Sequence, residues 1–238
     1  MRTTLFSRLL IMSFLVVFAS ACKSTDTATT SNNTVTTQNS AQNAELEAQY
    51  WEQIKKSKMQ FVQADVDFMT GMIGHHAQAL IMSDLAPKNG ANQEIQTLAA
   101  RIINAQKDEI ASMQQWLKDR DQPVPEVHID GLNLMIHGVE GHHGGHMDHM
   151  NMAGMLSMDQ LNELAEAKGH EFDKLFLKYM IQHHTGALTM VKELIASDGA
   201  VQDEQAFKIS SDINVDQITE IERMKLMLIQ LENETIDF

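Results

Sequence analysis

Met72-Ile-Gly-His-His76 returns 108 positions later as Met180-Ile-Gln-His-His184, and its surroundings return with it. Asp65, Phe68, Ala79, Leu80 and Met82 are answered by Asp173, Phe176, Ala187, Leu188 and Met190. A second block repeats at an offset of 111: Ile102, Gln106, Glu109, Ile110 and Met113 match Ile213, Gln217, Glu220, Ile221 and Met224. Self-similarity in two blocks at slightly different offsets restricts the fold to two copies of a two-element unit packed on each other. Long segments with apolar residues at helical spacing, and prolines only at 87, 123 and 125, make those elements helices.

The spacing predicts a helix over 60–85, stopped by Pro87 and Gly90, and another over 92–119, ended before Pro123 and Pro125. Ser157-Met-Asp-Gln160 reads as a capping box opening a short helix to about 167. After Gly169 come helices over 171–196 and 203–231. The expected fold is all-α, a four-helix bundle built from a duplicated helix pair with a His/Met-rich central loop.

Ahead of the bundle, Arg2 and Arg8 precede an apolar run from Leu9 to Phe18, then Ala19-Ser20-Ala21 and Cys22. This order reads as an export signal over 1–21, too short to span a bilayer, with Cys22 as a lipidation site. Cys22 is the sole cysteine, so disulfides and thiolate metal sites are excluded. Polar, apolar-poor sequence from 23 to 44 is expected to be a flexible tether, followed by a helical lead-in to 58. The bundle domain then covers 59–238, with repeat one at 59–120, the loop at 121–156 and repeat two at 157–238. The chain is expected in the periplasm or cell envelope, lipid-anchored, with the outer membrane favoured. A formal charge of −14 argues against nucleic acid and against an electrostatic grip on anionic lipid.

The chemistry concentrates in Met and His. At 3.6 residues per turn, Met72 and His76 share a helix face and His75 flanks them; Met180, His183 and His184 repeat the arrangement. Thioether and imidazole together suit copper, with zinc or nickel as alternatives. One such turn alone is better explained as a core methionine beside histidines; two copies in matching contexts favour a metal. The central loop adds His137, His142, His143, His146, Met147, His149, Met150, Met152 and Met155 among glycines, a composition suited to metal capture.

These motifs, with Ser112-Met113 through Trp116-Leu117, Gly154-Met155-Leu156-Ser157 and the stretch from Phe172 to His184, resemble the domain of unknown function 305 family (DUF305) over nearly all of 60–230. The resemblance implies a ferritin-like bundle in exported bacterial proteins, several of them tied to copper binding and tolerance. It carries metal ligation onto Met72, His75, His76, Met113, Met180, His183, His184 and Met224. Gly74 and Gln182 stand where the family often has proline, a departure that removes no ligand. An antiparallel helix pair would bring Met113 to Met72 and His76, with Gln106 or Glu109, and Gln217 or Glu220, orienting an imidazole from behind. Asp65 and Asp173, near helix starts, are expected to cap rather than ligate.

Copper binding and buffering, without enzymatic turnover, is therefore the expected function, with copper-exporting or copper-accepting proteins as partners. Two other classes compete. A ferritin-like oxidase needs paired Glu-x-x-His motifs, and the only one here is Glu140-Gly-His-His143 in the loop. A helical interaction lipoprotein would leave the His pairs without metal. No His-Glu-x-x-His occurs, so a zinc peptidase of that type is excluded.

Overall fold

A computed structural model describes residues 32–58, 60–138 and 152–234. The signal segment, Cys22, and the loop residues His142, His143, His146, Met147, His149 and Met150 lie outside them. The described elements are α1 (Asn32–Lys58), α2 (Gln63–Lys88), α3 (Gln93–Lys118), β1 (Glu126–Asp130), β2 (Asn133–His137), α4 (Met158–Glu166), α5 (Gly169–Ala196) and α6 (Glu204–Glu234). The chain divides into two units, Met1–Ala48 and Gln49–Phe238. No helix among the described residues is long and apolar enough to cross a membrane.

Three expectations are corrected. The tether predicted over 23–44 is helical from Asn32. No Gly or Pro interrupts 32–58, so the helix favoured by the Ala, Glu, Gln and Leu of its second half extends backwards. Pro87 does not stop α2 but sits in its last turn; the chain leaves the helix at Asn89 and reverses through Gly90 at φ +69. The predicted loop 121–156 contains an antiparallel hairpin, β1 paired with β2. Val127, Leu134 and Ile136 are half-buried between exposed neighbours there, and Asp130-Gly131 makes the turn, with Gly131 at φ +60.

In Gln49–Phe238, α2 packs on α3 and α5, while α6 packs on α5 and α3, closing a four-helix bundle. Two aspartates fix how the repeats meet. Asp65 at the start of α2 accepts hydrogen bonds from Val62 N (2.9 Å) and Val201 N (2.8 Å), so it caps its own helix and holds the α5–α6 loop. Asp173 at the start of α5 accepts from Asn92 N (3.2 Å) in the α2–α3 loop. Each repeat thus grips the other's turn, which requires α2 and α5 to run antiparallel about a pseudo-twofold axis. Burial raises the Asp173 pKa, against the lowering influence of the Asn92 hydrogen bonds. At the far end of α3, Asp203 accepts from Trp116 Nε1 (3.0 Å), Arg120 Nη2 (2.5 Å) and Ala206 N (2.8 Å), which joins α3 to the first turn of α6.

The apolar interior is not continuous. One cluster holds Met69, Met72 and Ile73 of α2, Ile110 and Met113 of α3, Ala187 and Val191 of α5, and Ile209 and Ile213 of α6. The other holds Ala79 and Met82 of α2, Ile95, Leu98 and Ile102 of α3, Phe176 and Met180 of α5, and Ile221 and Met224 of α6. Between the two, every bundle helix contributes polar residues at mid-length.

Candidate metal centre

That interruption is a buried polar layer: His75 and His76 from α2, Gln106 and Glu109 from α3, His183 and His184 from α5, Gln217 and Glu220 from α6. All four histidines are fully buried, and both glutamines are 1% exposed. The Glu109 and Glu220 side chains are 15% and 18% exposed, so each carboxylate reaches the surface beside the layer. Met72 and Met113 lie one helical turn to one side, and Met180 and Met224 one turn to the other, all fully buried. The eight sulfur and imidazole side chains singled out in the sequence are thus gathered around one level of the bundle.

The two repeats touch through histidine. The His75 and His183 rings lie against each other, centroids 3.9 Å apart and planes tilted by 37°, whereas neighbours on one helix stand farther off, at 6.4 Å for His75–His76 and 6.1 Å for His183–His184. His183 Nε2 is 3.0 Å from the carbonyl oxygen of His75, and His75 Nε2 is 3.0 Å from that of Ala153. A carbonyl oxygen only accepts, so both Nε2 atoms donate, and in each neutral ring the lone pair is on Nδ1. The rings are neutral: burial, followed by the charge of His76, lowers the His75 pKa to about 3. Burial, followed by the charge of His75, holds His183 well below the usual imidazole value.

The outer imidazoles lean on carboxylates. His184 Nε2 hydrogen-bonds Glu220 Oε2 at 2.6 Å. His76 Nε2 stands 2.7 Å from Glu109 Oε2, within ion-pair distance but not aligned as a hydrogen bond. Of the orienting residues expected from the sequence, the glutamates stand against the imidazoles. Asp216, on α6 one turn before Glu220, extends the acidic seam. Its pKa is raised by partial burial first and then by the charges of Glu109 and Glu220.

Buried polar atoms ordinarily find partners. Here the Nδ1 atoms of His75, His76, His183 and His184 have none, and neither do the two amide atoms of Gln106, Glu109 Oε1 or Gln217 Oε1. Unpartnered imidazole nitrogens at the level of four thioethers fit a soft cation, with the Nε2 atoms of His75, His183 and His184 tied back to carbonyls and a carboxylate as in ligating imidazoles. Among the described residues no three His, Cys, Asp or Glu side chains converge on one point. A cation held here therefore needs the methionines.

A segment from the central loop seals the layer. Gln78 clamps the backbone of Leu156, donating to its O (3.0 Å) and accepting from its N (2.7 Å). Opposite, a Cβ on Gly186 would fall 1.9 Å from Ala153 O, so only glycine lets 153–154 lie against α5. Gln78 and Gly186 are the same position in the two repeats, and sequence reasoning missed both. Differing letters within an otherwise matching block were the available signal. The remaining loop candidates do not form one group: His137 is exposed on β2, Met152 is half-buried, and Met155 is buried at the foot of α4.

Residues 65–228 match the family described as Domain of unknown function (DUF305). A DUF305 fragment from Deinococcus radiodurans superposes with a TM-score of 0.57 at 23% identity, covering 71% of this chain and 98% of that one. CopM in its Cu(II)-bound form gives 0.51 at 28% identity, covering 70% and 96%. CopM in its Cu(I)-bound form gives 0.50 at 28%, with the same coverage. No curated protein matches the chain. The helical architecture shared with these structures is the ferritin-like bundle.

Proposed function

The chain belongs to the DUF305 family, and from that premise we propose that its mid-bundle layer binds copper, Cu(I) foremost, as cargo to be buffered outside the cytoplasm. One observation carries the reading: four buried Nδ1 atoms without partners, those of His75 and His183 bearing lone pairs, flanked by four buried thioethers. Neutral sulfur and nitrogen donors match a soft monovalent ion, and a thioether needs no deprotonation to bind. Glu109 and Glu220 supply the negative charge that a buried cation requires, and with Asp216 they offer an acidic way in along the sparsely packed α3–α6 seam. The copper-bound forms of CopM support the same choice of ion. The leader and Cys22 support export and lipid anchoring, with the outer membrane favoured. No turnover is ascribed to the layer.

The test is a Cu(I) competition titration against a chromophoric chelator, using protein whose His142, His143, His146 and His149 are changed to Ala. Changing His75, His76, His183 and His184 to Ala in that background should weaken binding at least a hundredfold. Equal affinity with and without the four buried histidines would refute the proposal. Parallel titrations with Zn(II) and Ni(II) identify the ion, copper being expected to bind tightest.

A further inference from the structure

The hairpin carries a second set of donors that the bundle does not use. In its register Glu126 is paired with His137, His128 with Met135, and Asp130 with Asn133. Directly paired residues share a sheet face, and side chains alternate along a strand, so Glu126, His128, Met135 and His137 all stand on one face. All four are exposed, while Val127, Leu134 and Ile136 on the other face are half-buried. Among the described residues none of the four side chains has a hydrogen-bond or ion-pair partner. Met135, an exposed thioether between two imidazoles, has no packing reason to be where it is: it is 39% exposed.

We propose that this face is a separate cation site, with His128, His137 and Met135 as ligands and Glu126 as a carboxylate donor. Opposed Cβ atoms on such a sheet lie about 5 Å apart and diagonal ones about 7 Å, so long side chains from neighbouring pairs meet above the strands by rotation alone. The side chains stand apart in the structure, and the register, a property of the backbone, is what brings them within reach of one ion. Two imidazoles, one carboxylate and a single thioether form a harder set than the bundle layer. They fit a borderline divalent ion, Cu(II) first by the usual order of affinities. The two sites thus differ in kind: a buried one for a soft monovalent ion and an exposed one for its divalent form. The proposal stands whether or not the layer binds Cu(I).

Cu(II) titration followed by calorimetry and electron paramagnetic resonance tests it, again in protein with His142, His143, His146 and His149 changed to Ala. A spectrum with nitrogen coupling is expected. His128→Ala and His137→Ala should each weaken Cu(II) binding at least tenfold and lose part of that coupling, with circular dichroism unchanged because both residues are exposed. Met135→Leu should weaken binding severalfold. The His75→Ala/His183→Ala variant separates the two readings, since it should leave the hairpin signal in place whatever happens to Cu(I). A His128→Ala/His137→Ala double variant that keeps the parent affinity and spectrum would overturn the proposal.

Discussion

Gln106→Met should stabilise the metal-free protein, an unusual outcome for a substitution at a 1%-exposed position. Neither amide atom of Gln106 has a partner, and an unsatisfied buried polar group costs about 1–3 kcal/mol. Methionine nearly matches glutamine in length and volume, and swaps that conserve volume cost less than about 1.5 kcal/mol. The net gain is about 0–3 kcal/mol once the swap cost is subtracted, and for a domain of this size Tm rises by about 2–4 °C per kcal/mol. The duplication supplies an internal control. Gln217 occupies the matching position with only Oε1 both fully buried and without a partner, so Gln217→Met should gain about half as much. Urea unfolding of both variants, with metal removed by chelator, measures the difference; m-values should stay constant. A Gln106→Met protein less stable than its parent by more than about 1 kcal/mol would show that the amide is satisfied. The layer would then carry no stability cost at Gln106.

Acid should destabilise the metal-free fold well before its carboxylates titrate. Unfolded imidazoles take a proton below about 6.5, whereas His75 stays neutral to about 3 and His183 is also held low. The unfolded state therefore binds more protons, and stability falls by about 1.4 kcal/mol per pH unit per histidine below 6.5. Unfolding free energies from urea titrations at pH 7 and pH 5 should differ by about 2 kcal/mol through His75 alone, with His183 adding in the same direction, and a flat profile would contradict the assignment. Gly186→Ala drives a Cβ against the Ala153 carbonyl and the Gly154 Cα, atoms that cannot rotate away. It should cost about 3 kcal/mol and weaken Cu(I) binding by breaking the His75–Ala153 hydrogen bond, read by thermal melting and titration. Asp65→Ala and Asp173→Ala should each cost about 2 kcal/mol. They act at opposite ends of the bundle, so the double variant should equal their sum within about 0.5 kcal/mol; strong non-additivity would rule out independent clamps.

Within each repeat the sequence was informative because helix geometry is local. Met72 and His76 share a face by counting alone, and the Gln106–Glu109–Met113 spacing follows the same rule. The contact of His75 with His183 was not legible, since nothing inside a helix states how far its neighbour is shifted along the bundle axis. That shift is set by Asp65 and Asp173 reaching the opposite repeat's turn, contacts between residues 136 and 81 positions apart. The hairpin was a different kind of miss. Its alternation at Val127, Leu134 and Ile136 and its Asp130-Gly131 turn were in plain view, but the glycine and histidine content of 121–156 outweighed a strand signal only five residues long on each side.

Duplication explains why a polar layer exists, and a single departure from it explains why the two halves of the layer differ. Two antiparallel copies of one helix pair bring the same mid-helix residues to the same level, so His75 must meet His183. Strict symmetry would give both rings the same partner. Instead His183 Nε2 donates to the backbone of its counterpart in the other repeat, while His75 Nε2 donates to Ala153 in the incoming segment. That segment can lie on one side only, because position 186 is glycine and its counterpart, residue 78, is a glutamine that binds the same strand of chain. The half served by Met72, His76 and Met113 and the half served by Met180, His184 and Met224 therefore present similar donors in unequal surroundings. Stepwise rather than equal affinities in a two-equivalent Cu(I) titration follow from that inequality. Two indistinguishable sites would mean that the segment has no influence on the layer beneath it.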